Sequence, residues 1–129
     1  MIQLPNKKPY DLEERTAQFA EGVFAVLNVI KKNPMNLPIV SQLIRSATSI
    51  GANYCEANDA SSRKDFRNKI YLCKKEANET KYWLRILAQA QPEIKDKLRI
   101  LWQEAQELNQ IFQKIVNSLN AKKSDLKIE

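Results

Sequence analysis

Helix-breaking residues are confined to a few places in this chain, and that distribution most constrains its fold. Only two glycines occur, Gly22 and Gly51. The five prolines lie at three places that long uninterrupted stretches separate: Pro5 and Pro9, Pro34 and Pro38, and Pro92. A β-rich fold needs many tight turns, and glycine and proline usually supply them. We therefore predict an all-α fold, and 129 residues is the size of one domain.

Apolar residues recur at helical spacing in four segments that short breaks separate. We expect Asp11 to cap the first helix, with Glu14 in the spacing of a capping box, and Ser62 to cap the third. The predicted helices cover about 11–32, 37–57, 63–89 and 92–120. The prediction is an antiparallel, up-down-up-down four-helix bundle over residues 11–120.

The two ends of the chain are expected to lie outside this bundle. Residues 1–10 are predicted to be a flexible leader, and residues 121–129 a polar tail. The N-terminus lacks the apolar segment of a secretory signal. No stretch approaches the roughly 18 apolar residues of a membrane span, so we expect a cytoplasmic protein with no membrane partner.

The third predicted helix carries a stripe of a single charge sign. It consists of seven residues at steps of three and four, here called the basic ridge: Lys64, Arg67, Tyr71, Lys74, Asn78, Lys81 and Arg85. Five of the seven are basic and none is acidic. Like charges four residues apart do not stabilise a helix, so helix stability does not explain the ridge. It could follow a phosphate backbone, with Tyr71 stacking on an unpaired base. The alternative is a solvated face, or one that pairs with acids of another subunit.

The other sides of this helix are largely apolar. One stripe is predicted to form the intramolecular seam: Phe66, Ile70, Cys73, Ala77, Thr80, Leu84 and Leu87. Tyr82, Trp83 and Ile86 point away from that seam, which leaves the last third of the helix apolar nearly all round. A helix that is apolar on all sides is buried on all sides. Self-association is the simplest way to cover the outer surface, so we expect a homo-oligomer with these three residues at its interface.

Polar residues set into the second and third helices are expected to be structural. Buried polar groups must find hydrogen-bond partners, and contacts between these two helices would supply them. The predicted polar network comprises Arg45, Asn53, Glu56, Glu76 and Glu79.

The residue types present argue against catalysis and against a metal or cofactor site. The chain contains no histidine, which removes the most frequent acid–base group and the Glu-x-x-His ligands of di-iron bundles. Two glycines cannot build a nucleotide-binding loop. Cys55 and Cys73 are interpreted as buried free thiols in a reducing compartment. We therefore expect no enzyme, no cofactor and no metal.

Several segments resemble a bacterial family of short four-helix bundle proteins encoded in intervening sequences of 23S ribosomal RNA genes. The similarity runs from about Leu12 to Leu87. Its strongest parts are Gln42-Leu43-x-Arg45-Ser46-Ala47-x-Ser49-Ile50-Gly51-Ala52-Asn53-Tyr54-x-Glu56-Ala57, Ser62-x-x-Asp65-Phe66 and Lys75-Glu76-Ala77-x-Glu79-Thr80-x-Tyr82-Trp83-Leu84. The resemblance implies an antiparallel four-helix protomer in a homopentamer. Related proteins act as accessory variability determinants of diversity-generating retroelements, which implies binding to nucleic acid and to a reverse transcriptase.

The formal net charge of +6 is compatible with a polyanionic partner. The leading hypothesis is a non-enzymatic, basic, oligomeric scaffold that binds nucleic acid, with structured RNA as the favoured target. The main alternative is a protein-interaction adaptor, for example for a reverse transcriptase. An enzyme of unrecognised type is a third reading.

Overall fold

The computed structural model describes the backbone of residues 11–128 and the side chains of residues 11–121. Over this range it contains no strand. The helices are α1 (Leu12–Leu27), α2 (Leu37–Asn58), α3 (Arg63–Ala90) and α4 (Lys95–Ile128), and a single 3₁₀ turn, Pro92–Ile94, precedes α4. Each helix packs on the next, and α4 returns to α1. The antiparallel four-helix bundle is confirmed. The predicted leader, 1–10, lies outside the described residues.

Helix α1 is shorter than predicted. It begins as expected, because the Asp11 carboxylate accepts a hydrogen bond from the Glu14 backbone N–H at 3.3 Å. It ends at Leu27 instead of Lys32. Beyond that point the backbone N–H groups of Val29 and Ile30 donate to carbonyls three residues back instead of four, so the α-helical pattern stops. The Lys32 ammonium then donates to the Leu27 carbonyl at 2.7 Å, which satisfies an acceptor that the helix end leaves open.

The connection from α1 to α2 is held by one buried side chain. Asn36 is 1% exposed, and its amide donates to the Gln91 side chain at 2.8 Å and to the Lys31 carbonyl at 3.0 Å. Gln91 follows α3, so this contact joins two helix connections at the same end of the bundle. Pro38 lies in the first turn of α2. Backbone N–H groups there have no partner within the helix, so the N–H that proline lacks costs no hydrogen bond.

Helices α3 and α4 begin close to the predicted residues, but α4 is longer than predicted. The Ser62 hydroxyl accepts from the Asp65 backbone N–H at 3.0 Å, which confirms the cap of α3. The helical backbone of α4 continues to Ile128, so residues 121–128 extend the last helix past the expected boundary at residue 120.

The core lies along the seams that apolar periodicity indicated. Six of the seven predicted seam residues of α3 are buried, and Phe66 is half-buried. Cys73 is fully buried, and this burial raises its pKa to about 12. The interpretation of Cys55 as buried is wrong. It is exposed at the C-terminal end of α2, with its Sγ 3.8 Å from the Glu13 carboxylate. Both cysteines are free thiols, as expected.

Helix α1 is joined to α4 by an ion cluster that the sequence did not reveal. The Arg15 guanidinium donates to both Glu104 carboxylate oxygens at 2.8 Å and to Glu107 at 2.9 Å. Only 10% of the Arg15 side chain is exposed. The guanidinium and the Glu104 carboxylate are both planar and form two parallel hydrogen bonds. This geometry holds the two helices in a defined register.

Helices α1 and α2 approach each other closely at Gly51. A Cβ atom at this position would lie 2.9 Å from Thr16 Oγ1 and 3.2 Å from Thr16 Cβ. The Thr16 hydroxyl is buried and donates to the Leu12 carbonyl at 2.6 Å, so the side chain cannot turn aside without losing that bond. Glycine at position 51 therefore allows this approach.

We expect Gly51→Ala to lower the free energy of unfolding, with Gly22→Ala as the matched control. Both glycines lie inside helices, where alanine would gain up to about 1 kcal/mol in propensity. A Cβ at Gly22 would make an ordinary 3.5 Å contact with Leu101, so that variant should match or exceed the wild-type melting temperature. At Gly51 overpacking of roughly 1–3 kcal/mol should outweigh the gain. Equal melting temperatures of the two variants in circular dichroism would contradict the close approach.

Candidate nucleic-acid interface

The basic ridge lies along the boundary between α3 and α4. Lys64, Tyr71 and Arg85 are exposed, while Arg67, Lys74 and Lys81 are half-buried. The Asn109 amide of α4 donates to the Lys74 backbone carbonyl at 3.0 Å. The ridge is therefore packed along one edge against α4 and open to solvent along the other.

Lys81 is held in place by two contacts with α4. Its ammonium lies 5.1 Å from the centroid of the Trp102 ring and donates to the Gln106 side chain at 2.5 Å. A cation over an indole face is attracted by the ring quadrupole while keeping its full charge. Lys81 therefore presents its charge from a fixed position.

No cation of the basic ridge forms an ion pair within the part of the chain that the structure describes. The described ion pairs involve Arg15, Arg45 and Lys69, none of which belongs to the ridge. Tyr71 is 38% exposed, with the Lys74 ammonium 6.0 Å from its ring centroid. Among the residues that the structure describes, no acidic side chain pairs with the cations of the ridge.

The C-terminal end of the ridge opens into a groove between α3 and α4, here called the α3–α4 groove. Its volume is about 440 Å³, and its walls are formed by Leu84, Arg85, Ala88, Lys95, Leu98, Arg99, Trp102 and Gln103. A smaller cavity of about 290 Å³ adjoins it and shares Arg85, Ala88 and Lys95. Neither is lined by a carboxylate.

Sequence reasoning missed the α4 half of this surface. Lys95, Arg99 and Trp102 follow one another at steps of four and three, the spacing of one helix face. That spacing was a usable signal, but only the packing of α4 on α3 brings these residues next to Arg85.

Three of the five residues predicted to form the polar network, Arg45, Glu76 and Glu79, are in contact. The Arg45 guanidinium contacts Glu76 at 3.3 Å and also binds Glu79, which joins α2 to α3. Glu79 also accepts from the Trp83 indole N–H at 2.8 Å. Arg45 and Glu79 are partly exposed, with side-chain values of 44% and 39%, so solvent screens the pair.

Asn53 and Glu56 have partners other than these three residues: the partner of Asn53 lies within α2, whereas Glu56 does join α2 to α3. The Asn53 amide donates to the Ser49 carbonyl within α2 at 2.8 Å. Glu56 is exposed and binds the Lys69 ammonium of α3 at 2.7 Å. Both residues lie more than two turns beyond Arg45 on α2, so Glu76 and Glu79 are out of reach. The buried polar contact between α2 and α3 is instead made by the Ser46 and Thr80 hydroxyl groups, 2.9 Å apart.

The predicted oligomer surface is partly open in the single chain. Tyr82 is 55% exposed and meets Trp83 edge-on, with ring centroids 5.0 Å apart. Trp83 and Ile86 are half-buried. An aromatic ring thus remains uncovered on the outer side of α3.

Two further properties concern the described residues only. Their His, Cys, Asp and Glu side chains form no group of three or more able to hold a metal ion. No helix in that range has an apolar stretch long enough to cross a bilayer.

We expect Glu79→Gln to lower the melting temperature at neutral pH and to have no effect in acid. The Trp83 N–H lowers the pKa of Glu79, and Arg45 adds to this against the opposing effect of burial. A carboxylate with a lowered pKa stabilises the fold above its unfolded pKa, and that contribution is lost as pH falls through the folded value. Thermal melts of both proteins from pH 7 downward should therefore converge. Exposed Glu21→Gln on α1 is the control, and a Glu79→Gln deficit that persists in acid would contradict the assignment.

Comparison with known proteins places the chain in a family. A solved structure of a protein of unknown function, described as from the S23 ribosomal protein family of Bacteroides thetaiotaomicron VPI-5482, is similar at a TM-score of 0.71 and 32% identity. The match covers 81% of this chain and 97% of that one. The comparison with curated proteins found no match.

The model of one family, described as 23S rRNA-intervening sequence protein, matches residues 10–114, which include all of α1, α2 and α3 and the first part of α4. The expected family resemblance is confirmed over most of the bundle. The chain belongs to the 23S rRNA-intervening sequence protein family.

Proposed function

We propose that this protein is a non-enzymatic, basic, oligomeric scaffold that binds structured RNA through phosphate contacts. The observation that carries the proposal is the basic ridge, whose cations form no ion pair within the described residues. The family description, which names 23S rRNA intervening sequences, agrees with RNA as the polyanion.

The geometry of the ridge suits a nucleic-acid backbone. From Lys64 to Arg85 it follows α3 for about 30 Å, at 1.5 Å per residue. Its seven residues alternate at steps of three and four, so the five cations among them share one side of the helix and can contact phosphates in succession. Phosphate contacts confer affinity and little sequence preference, because every nucleotide carries the same phosphate.

The proposal includes self-association, with a homopentamer as the form that the family resemblance implies. Repeating a ridge of weak contacts around a ring would raise overall affinity, provided that one RNA reaches several copies. The exposed Tyr82 ring supports an interface on the outer side of α3, since exposed aromatic groups are enriched where proteins associate.

Light scattering after size exclusion should give a mass several times 14.9 kDa. Tyr82→Lys should lower that mass, because a charge would have to be buried in place of the ring. Exposed Ala17→Lys on α1 is the matched control and should assemble as wild type. A monomeric wild-type protein at micromolar concentration would rule out self-association.

RNA binding should weaken steeply with salt, because each neutralised phosphate releases condensed counterion. Lys64→Glu combined with Lys74→Glu should weaken binding of a fluorescein-labelled RNA hairpin and reduce the steepness of log affinity against log salt by about two. Fluorescence anisotropy from low to moderate salt measures both quantities.

The matched control is Lys31→Glu combined with Lys114→Glu, two exposed lysines outside α3 that give the same change in net charge. Both double variants must first retain the wild-type oligomer mass. Equal loss in ridge and control variants would show attraction by net charge alone. Undiminished binding by the ridge variant would remove the ridge as the site.

A protein-interaction adaptor is the second candidate, and the exposed aromatic surface at Tyr82 is the observation that favours it. A reverse transcriptase is the partner class that the resemblance to retroelement accessory proteins suggests. Absence of RNA and DNA binding at low salt would bring this candidate to first place.

A further inference from the structure

Trp102 forms one wall of the α3–α4 groove and is half-buried there. The Lys81 ammonium, 5.1 Å from the ring centroid, restrains the indole from the α3 side. Aromatic side chains that are held in place and still reach solvent are the surfaces on which unpaired bases stack. Trp102 differs in this from Tyr71, which stands on the outer surface of the ridge.

The chemistry of the groove changes from floor to rim. Leu84 and Leu98, each 1% exposed, belong to the core beneath it, and Ala88 leaves room above them. Arg85, Lys95 and Arg99 supply three cations along its walls, and no carboxylate is among the lining residues. The volume of about 440 Å³ lies within the range of small-ligand sites.

We infer that the α3–α4 groove receives one unpaired nucleotide of a structured RNA. The base would stack on Trp102 above the apolar floor, and the flanking phosphates would contact Arg85, Lys95 and Arg99. This inference rests on the proposed RNA-binding function and adds to it a preference for RNA with a bulged or looped-out base.

Charge complementarity favours a nucleotide over other occupants. A second copy of the chain covering the groove with apolar side chains would have to desolvate three cations without neutralising them. A nucleotide brings an apolar ring face and an anionic phosphate together, which matches the apolar floor and the cationic rim.

The experiment compares two fluorescein-labelled RNA hairpins of the same stem, one fully paired and one with a single bulged uridine, by anisotropy with the full chain. Wild type should bind the bulged hairpin roughly tenfold more tightly, the size of one base–aromatic stacking contact. Trp102→Leu should lose this preference while still binding both hairpins through the ridge.

Two further variants test the position of the base. Ala88→Leu fills the groove and leaves Trp102 intact, so it should also abolish the preference, even if Trp102→Leu folds poorly. Phe24→Leu, which removes an exposed aromatic ring of α1 outside the ridge and the groove, is the control and should keep it. With 5-iodouridine at the bulge, irradiation and mass spectrometry should locate the cross-link at Trp102.

Each alternative outcome points elsewhere. Equal binding of the two hairpins by wild type overturns the nucleotide site and leaves the RNA-binding proposal standing. A cross-link at Tyr71 assigns the base to the ridge. A fall in oligomer mass in Trp102→Leu and Ala88→Leu assigns the groove to a second copy of the chain. No binding of either hairpin at low salt overturns both proposals.

Discussion

The position of α3 between α2 and α4 is the constraint on which the other features depend. Its apolar seam, from Ile70 to Leu87, faces the core, and its two flanks pack on the neighbouring helices. On the α2 flank the Ser46 and Thr80 hydroxyl groups pair out of contact with water, and Arg45 joins the two helices nearer the surface. The two hydroxyl oxygens come within hydrogen-bond distance in one register of the helices, so this contact favours that register.

The flank of α3 against α4 determines what the protein can present to a partner. A fully solvated ridge of lysines would hold its charges on mobile side chains, and ordering them on binding costs conformational entropy. Packing on α4 restrains part of the ridge in advance, as the contacts of Lys81 with Trp102 and Gln106 show. The same packing creates the α3–α4 groove, because α4 brings Lys95, Arg99 and Trp102 beside Arg85. An ordered cationic surface next to an aromatic cleft is the physical basis of both proposals.

Local signals predicted local structure well. The caps at Asp11 and Ser62 formed because a side-chain oxygen close in sequence meets an unpaired backbone N–H. The end of α1 was misplaced because the sequence does not indicate that Lys32 lies beyond the helix and reaches back to the Leu27 carbonyl. Cys55 was misjudged for a related reason. Helical spacing indicates the side of a helix on which a residue lies, but the depth of burial depends on where the neighbouring helix begins, and α1 begins only at Leu12.

Sequence by itself determined the four helices, their antiparallel order, the seam of α3 and the one-signed ridge, because each follows from periodicity, capping or the scarcity of glycine and proline. Tertiary structure alone decided which helix covers which flank. It placed Arg15 against Glu104, brought Gly51 within reach of Thr16 and joined the ridge to Trp102. These pairs are separated by tens of residues in the chain, and their contact depends on helix crossing and register, which arise from the packing of whole helices.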